Sequence, residues 1–190
     1  MPAFAPFEPG VRPVPDAAAP RVAIRPALPG DAAGVVRVAA TRGPQRADLE
    51  TRVAGWAVDP DRCVLVAVPD GAPAVVGWAM ASRWAHDDAP PGYVVSALTV
   101  DPGWWRRGLG HRLASGLLAW AWDRADVLHS LVNLRNEASL ALHARLGFVE
   151  VRRGAELAGV PFDGGAGVML RASRPPRPTP PGPTTQEQHP

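Results

Sequence analysis

One stretch limits the possible folds more than any other. The apolar run "YVVSALTV" (93–100) passes through "DPGWWRRG" into "LGHRLASGLLAW", where Leu109, Leu113, Leu117 and Trp120 recur at helical spacing. A second apolar run, "VLHSLVNL", follows. Strand, helix and strand in that order predict a right-handed crossover joining parallel strands, from Tyr93 to Val132.

The neighbouring pattern is not a simple repeat of that unit. "RVAIRPA" reads as a first strand, and Asp31 stands as an N-cap before a short helix in "LPGDAAGVVRVAATR". "PQRADLETRVAGWAV" carries Leu49, Val53 and Trp56 at helical spacing and predicts a second helix. "RCVLVAV", the turn "PDGAP" and "AVVGWAMASRW" have the signature of a hairpin, and a polar loop, "AHDDAPPG", leads on to Tyr93. Beyond the crossover, "NEASLALHARLG" is a helix opened by Asn136 and closed by Gly147. "FVEVRR" and "GVMLRA" close the order as strands. Such a mixture predicts an α/β fold with a mixed sheet. Residues 1–20 are Pro/Ala-rich and 172–190 are Pro-rich, so both are expected to be disordered flanks of a single domain over 21–171.

Composition removes several classes. All 20 basic residues are arginine, and a phosphate-binding P-loop needs its lysine. A lone cysteine, Cys63 in "CVLVAV", permits no internal disulfide and reads as a small core residue. A net charge of +2 is too mild to argue for nucleic acid. No apolar run approaches the roughly 20 residues of a membrane span. The N-terminus has no basic segment followed by an unbroken apolar one, so the expected location is cytoplasmic.

The turn itself carries chemistry. Gly108 and Gly110 sit where the strand becomes a helix, and a helix start exposes unpaired N–H groups and the positive end of the dipole. Arg106 and Arg107 add charge there. Together they suit a pyrophosphate or another polyanion. A lone Gly-x-Gly is equally the mark of a tight turn. The dinucleotide fingerprint does not fit, since its third glycine falls on Leu113 and no acidic residue ends the next strand.

Two further motifs flank the turn: Ala97-Leu98-Thr99-Val100-Asp101-Pro102 before it, and "NEASLALHARLGF" (136–148) one strand later. With them, the region Ile24–Leu170 resembles the GCN5-related N-acetyltransferase (GNAT) superfamily in the order of its signatures. Trp105 stands where the family's turn usually opens with Arg or Gln, and His143 where a tyrosine is common. The resemblance implies a mostly antiparallel mixed sheet with a splayed parallel pair, flanked by helices. It implies acetyl-CoA as co-substrate, no metal, and transfer of acetyl to a primary amine of a small molecule or peptide by direct attack in a ternary complex. Backbone groups of Leu98, Thr99 and Val100 would meet the pantetheine arm, one N–H polarising the thioester carbonyl. The amides of Trp105, Arg106, Arg107, Gly108, Leu109, Gly110 and His111 would hold the pyrophosphate. Asn136 would bond to pantetheine or simply cap its helix. His143 would protonate the departing thiolate or pack beside Leu140.

The base is open. "YVVSALTV" holds no carboxylate; Ser96 is placed to hold a water, and Glu50, His86, Asp87 and Asp88 are alternatives. Acceptor specificity is expected from Thr41–Val58, Trp84–Gly92 and Ala155–Gly167, with Trp56 and Trp84 either lining a pocket or packing a core. A homodimer is allowed, with no nucleic-acid or membrane partner. Rival readings are an acyl-CoA-binding sensor or scaffold without turnover, a transferase of a different acyl group, and a nucleic-acid module resting on the arginine pair alone.

Overall fold

The computed structural model describes residues 20–84 and 86–176. Of the flanks expected to be disordered, residues 1–19 and 177–190 lie outside them. Among the described residues, nine strands and four α-helices follow in order: β1 Val22–Pro26, α1 Ala32–Ala40, α2 Leu49–Trp56, β2 Arg62–Pro69, β3 Gly77–Arg83, β4 Tyr93–Val100, α3 Leu109–Trp122, β5 Val127–Asn133, α4 Glu137–Arg145, β6 Val149–Gly154, β7 Glu156–Leu157, β8 Val160–Pro161 and β9 Gly167–Ser173. Seven strands form one sheet in the order β1-β2-β3-β4-β5-β9-β6; β7 and β8 make a separate ribbon. Every pairing is antiparallel except β4 with β5. That parallel pair is the crossover expected from the sequence.

Apolar periodicity decides the layers. Leu109, Leu113 and Leu117 of α3 are buried on one face of the sheet against Leu65, Ala79, Leu128 and Val132. Gly116 lets this helix approach closely, since a Cβ there would stand 2.6 Å from Leu65 Cδ1. On the opposite face, Val35 and Val38 of α1 and Val53 of α2 bury against Val66, Trp78 and Met80. A third, smaller cluster lies beneath the β7–β8 ribbon, where Leu157, Phe162 and Met169 meet Trp84 and Leu131.

Several boundaries differ from expectation. α2 covers Leu49–Trp56 rather than all of 44–58, with Ala57 still donating to Val53 O and Val58 to Gly55 O as the helix runs out. β3 begins at Gly77, although Val75 and Val76 before it are buried. β9 continues to Ser173, and the Arg174 amide still donates to Asp126 O, so packed chain runs past the expected limit of 171. Asp31 sits at the start of α1 but does not cap it. Its carboxylate instead takes a bidentate pair of bonds from Arg25, 2.6 and 2.8 Å, and the Leu28 amide at 2.7 Å.

Candidate active site

The sheet is split at its parallel joint. Only three residue pairs join β4 to β5: Tyr93 with Leu128, Val94 with His129, Val95 with Ser130. At the next residue β4 bulges. Met80 of β3 faces Ala97 and Ala81 faces Val95, which leaves Ser96 as the extra residue. A bulge bends and twists its strand, and beyond this one β4 parts from β5.

Past the bulge, β4 keeps its bonds to β3. The Asp101 amide donates to Val76 O, so by alternation Thr99 and Ala97 direct their backbone groups at β3, while Leu98 and Val100 direct theirs into the split. Thr99, expected to meet pantetheine, is therefore corrected: it pairs with Trp78, and it is buried. The two outward carbonyls already carry side-chain donors. Arg42 of the loop after α1 donates to Leu98 O at 3.0 Å, and Trp105 Nε1 to Val100 O at 2.7 Å. The amides of Leu98 and Val100 face the same opening.

The turn into α3 begins with a short 3₁₀ segment, Pro102–Trp104, capped by Asp101, which accepts the Gly103 amide at 3.0 Å. The Trp105 amide bonds to Pro102 O at 3.2 Å, which removes it from the donors expected to face a phosphate. Arg106 has φ 63° and Gly108 φ 74°, both left-handed. Gly108 is the N-cap of α3 and offers no side chain, so the first-turn amides of Leu109, Gly110 and His111 have no side-chain cap. No heavy atom lies within 4 Å of where a Gly108 Cβ would stand. Arg106, Arg107 and His111 are exposed around this corner, Arg107 stacked on Trp104 at 4.8 Å. The result is an open, cationic corner with uncapped helix amides beyond the end of β4.

The expected catalytic side chains fare differently. Ser96 is exposed at the bulge; its hydroxyl donates to Val94 O at 3.3 Å and lies 2.8 Å from Ser82 Oγ. His143 is only 3% exposed on α4, edge-on to Phe148 at 4.9 Å between ring centres. Its Nδ1 lies 2.7 Å from Ser139 O. A carbonyl only accepts, so the ring proton sits on Nδ1 and the neutral Nε2 can only accept. Burial pushes this imidazole below its ordinary pKa. With that tautomer Nε2 is an acceptor, which weighs against the proton-donor role expected of His143. Asn136 caps α4, Oδ1 accepting the Ser139 amide at 3.1 Å, with Nδ2 left for other partners.

Glu50, Asp87 and Asp88 are exposed. His86 leans over the ribbon turn so closely that a Cβ on Gly159 would stand 2.5 Å from its Nε2. Trp56 packs on the α1–α2 cluster, with Arg52 and Arg62 about its ring at 5.1 and 5.6 Å. Trp84 does face the split side of the molecule, its ring 5.6 Å from that of His129 on β5. His129 escapes sequence reading because it sits inside an apolar strand; an imidazole among strand residues is the one signal that marks it. Arg42 also escapes, because its bond to Leu98 spans 56 residues. Among the described residues, no group of three or more His, Cys, Asp or Glu side chains gathers to hold a metal. Nor is any helix long and apolar enough to cross a membrane.

A parallel pair split at a bulge, with an amide-lined corner opening the next helix, defines an acyl-CoA transferase architecture, and family comparison agrees. Residues 36–148 match the acetyltransferase (GNAT) family, more than half of the chain. The chain belongs to that family. It is 40% identical over 78 residues to the N-alpha-acetyltransferase RimI of Mycobacterium tuberculosis, covering 40% of this chain and 47% of that protein. The chain thus spans about half the length of this curated relative. Among solved structures, it resembles the ribosomal-protein-alanine N-acetyltransferase of Brucella melitensis, with a TM-score of 0.64 and 23% identity over 80% of this chain and 99% of that one. It also resembles a phosphinothricin acetyltransferase of Sinorhizobium meliloti solved with acetyl-CoA, with a TM-score of 0.66 and 18% identity over 80% and 88%. These structural likenesses speak for the fold.

Proposed function

We propose that this acetyltransferase takes its acetyl group from acetyl-CoA and passes it to a primary amine by direct attack in a ternary complex. One observation carries the reading: the outward amides of Leu98 and Val100 and the uncapped amides of Leu109, Gly110 and His111 open on the same split. The donor set fits the co-substrate. Backbone at Leu98 and Val100 is an edge against which a pantetheine arm can lie as an added strand. The α3 corner offers N–H groups and positive dipole to a diphosphate, and the empty space above Gly108 leaves room for it. Asn136, whose Oδ1 is taken up by the Ser139 amide, keeps Nδ2 as a further donor to the pantetheine arm in this reading.

When bound, acetyl-CoA supplies a thioester whose carbonyl carbon is electrophilic. The protein orients it and places an N–H at its oxygen, which stabilises negative charge as it develops there. Arg42 and Trp105 hold the β4 edge extended through the Leu98 and Val100 carbonyls. The Ser96 hydroxyl, exposed at the bulge, stands where the acceptor approaches. A second reading, acyl-CoA binding without turnover, draws support from the protonation of His143 and from a β4 that lacks a carboxylate.

Thermal shift and turnover together test both. Coenzyme A and acetyl-CoA should raise the melting temperature with concentration, while NAD should not. Gly108→Glu should abolish that response, because its carboxylate would fill and repel the diphosphate corner. A variant that responds like the parent would place the site elsewhere. Consumption of acetyl-CoA with a panel of amines separates an enzyme from a binder.

A further inference from the structure

Asn133, the last residue of β5, has no role in what is described so far. It lies past Ser130, where the pairing of β5 with β4 ends, and so stands on the margin of the split opposite Leu98 and Val100. Strand alternation gives its side chain a face. Leu128 and Val132 bury against α3, so Leu131 and Asn133 turn the other way, where Leu131 meets Trp84 and the cluster beneath the β7–β8 ribbon. The Ser96 hydroxyl is on that face too. It lies 2.8 Å from the hydroxyl of Ser82, and Ala79 and Ala81, which alternate with Ser82 along β3, face α3.

Asn133 is 4% exposed, and both ends of its side-chain amide are engaged. Oδ1 accepts the Arg135 amide at 2.9 Å, an Asx turn, while the main-chain carbonyl accepts the Asn136 amide at 2.9 Å. Nδ2 donates to Asp163 O at 3.0 Å, across 30 residues of chain. Asp163 opens the turn 163–166 that leads into β9. Gly164 and Gly165 there both have left-handed φ, 77° and 68°, and the Leu134 amide donates to Ala166 O at 3.0 Å. The Arg135 guanidinium lies against the same turn, since a Cβ on Gly164 would stand 2.5 Å from its Cζ. One buried side chain thus joins the entry to α4 with the turn before β9.

We infer that Asn133 is a positioning residue for the acetyl transfer proposed above, on which this inference rests: it aims Asn136 at the pantetheine arm and fixes the 163–166 turn as a wall of the acceptor side, on the face that carries Ser96. The Asx turn sets the direction in which the chain enters α4, and with it the place of Asn136. The 163–166 turn needs the opposite service. Two adjacent glycines leave it many conformations, and the bond from Nδ2 selects one of them. A carboxamide does both because it carries an acceptor and donors on one rigid plane. Donor site and acceptor wall then share an anchor, so filling the first stiffens the second.

The test compares the parent with Asn133→Ser and Asn133→Ala, using acetyl-CoA and a panel from benzylamine and spermidine to peptides with a free α-amine. A serine hydroxyl still accepts from the Arg135 amide but is too short to reach Asp163 O. Coenzyme A affinity of Asn133→Ser, by calorimetry, should stay within about twofold of the parent, while KM for the amine at saturating acetyl-CoA rises about 3–10-fold. Asn133→Ala loses both bonds, so its coenzyme A affinity should also weaken about 3–10-fold. Lower melting temperatures with both constants unchanged would mean a purely structural amide and overturn the inference; so would an equal loss of coenzyme A affinity in the two variants. Hydrogen exchange of the parent needs no variant to fold. Coenzyme A should slow exchange across 162–166 as well as at the start of α4. Protection at the start of α4 alone overturns the inference and leaves the transfer reading standing. A parent that turns over no amine of the panel overturns the transfer reading, and the inference with it.

Discussion

His143 shows how a single ring can hold a suggestive place and still do structural work. Its Nδ1–H is committed to Ser139 O, and its ring fills the space against Phe148. His143→Phe should therefore keep turnover within about threefold. His143→Ala should cost about 2–4 kcal/mol through the cavity it leaves. Chemical denaturation and steady-state kinetics on the two variants separate packing from proton transfer; a hundredfold loss of kcat in a well-folded His143→Phe would restore the ring to the reaction. Position alone suggested the role, through the tyrosine that His143 replaces. What sequence does not carry is a tautomer, which is set by a carbonyl one helical turn back.

At the scale of elements, much was legible. The run "YVVSALTV", the glycine corner and the Leu109–Leu113–Leu117 stripe gave β4, its turn and α3, because apolar spacing and glycine placement are local properties. The bulge at Ser96 was not legible, since a bulge exists only relative to the partner strand. Nor were the donors on the Leu98 and Val100 carbonyls, one of which crosses from the loop after α1. Asn136 was read in two ways, and its cap is the visible one. Asn136→Ala should cost about 1 kcal/mol of stability by denaturant titration. It should also weaken coenzyme A binding severalfold by calorimetry if Nδ2 serves the ligand; unchanged affinity would leave the residue a cap alone.

The whole molecule should be acid-sensitive in two stages. His129 and His143 are both held below their ordinary value of 6.5, chiefly by burial. The unfolded chain therefore binds those protons first. The contribution of the neutral rings is complete above that value and declines as pH falls through it toward the folded pKa values. Asp31, lowered first by its Arg25 hydrogen bonds, adds a second loss at more acid pH, as pH falls below its ordinary 3.8. Denaturation midpoints between pH 8 and pH 3 should show an early decline near pH 6, before carboxylates titrate. Asp31→Asn should blunt only the late one. A flat profile down to pH 5 would mean the two rings are not buried in solution.

The three-pair joint between β4 and β5 has a mechanical consequence. It makes the sheet two leaves, β1 to β4 and β5 with β9 and β6, bound along a short spine. A ligand wedged between their free margins would act as a staple as well as a reactant. Occupancy would then stiffen both leaves at once, and the energy of holding the co-substrate would be shared by strands far from the chemistry.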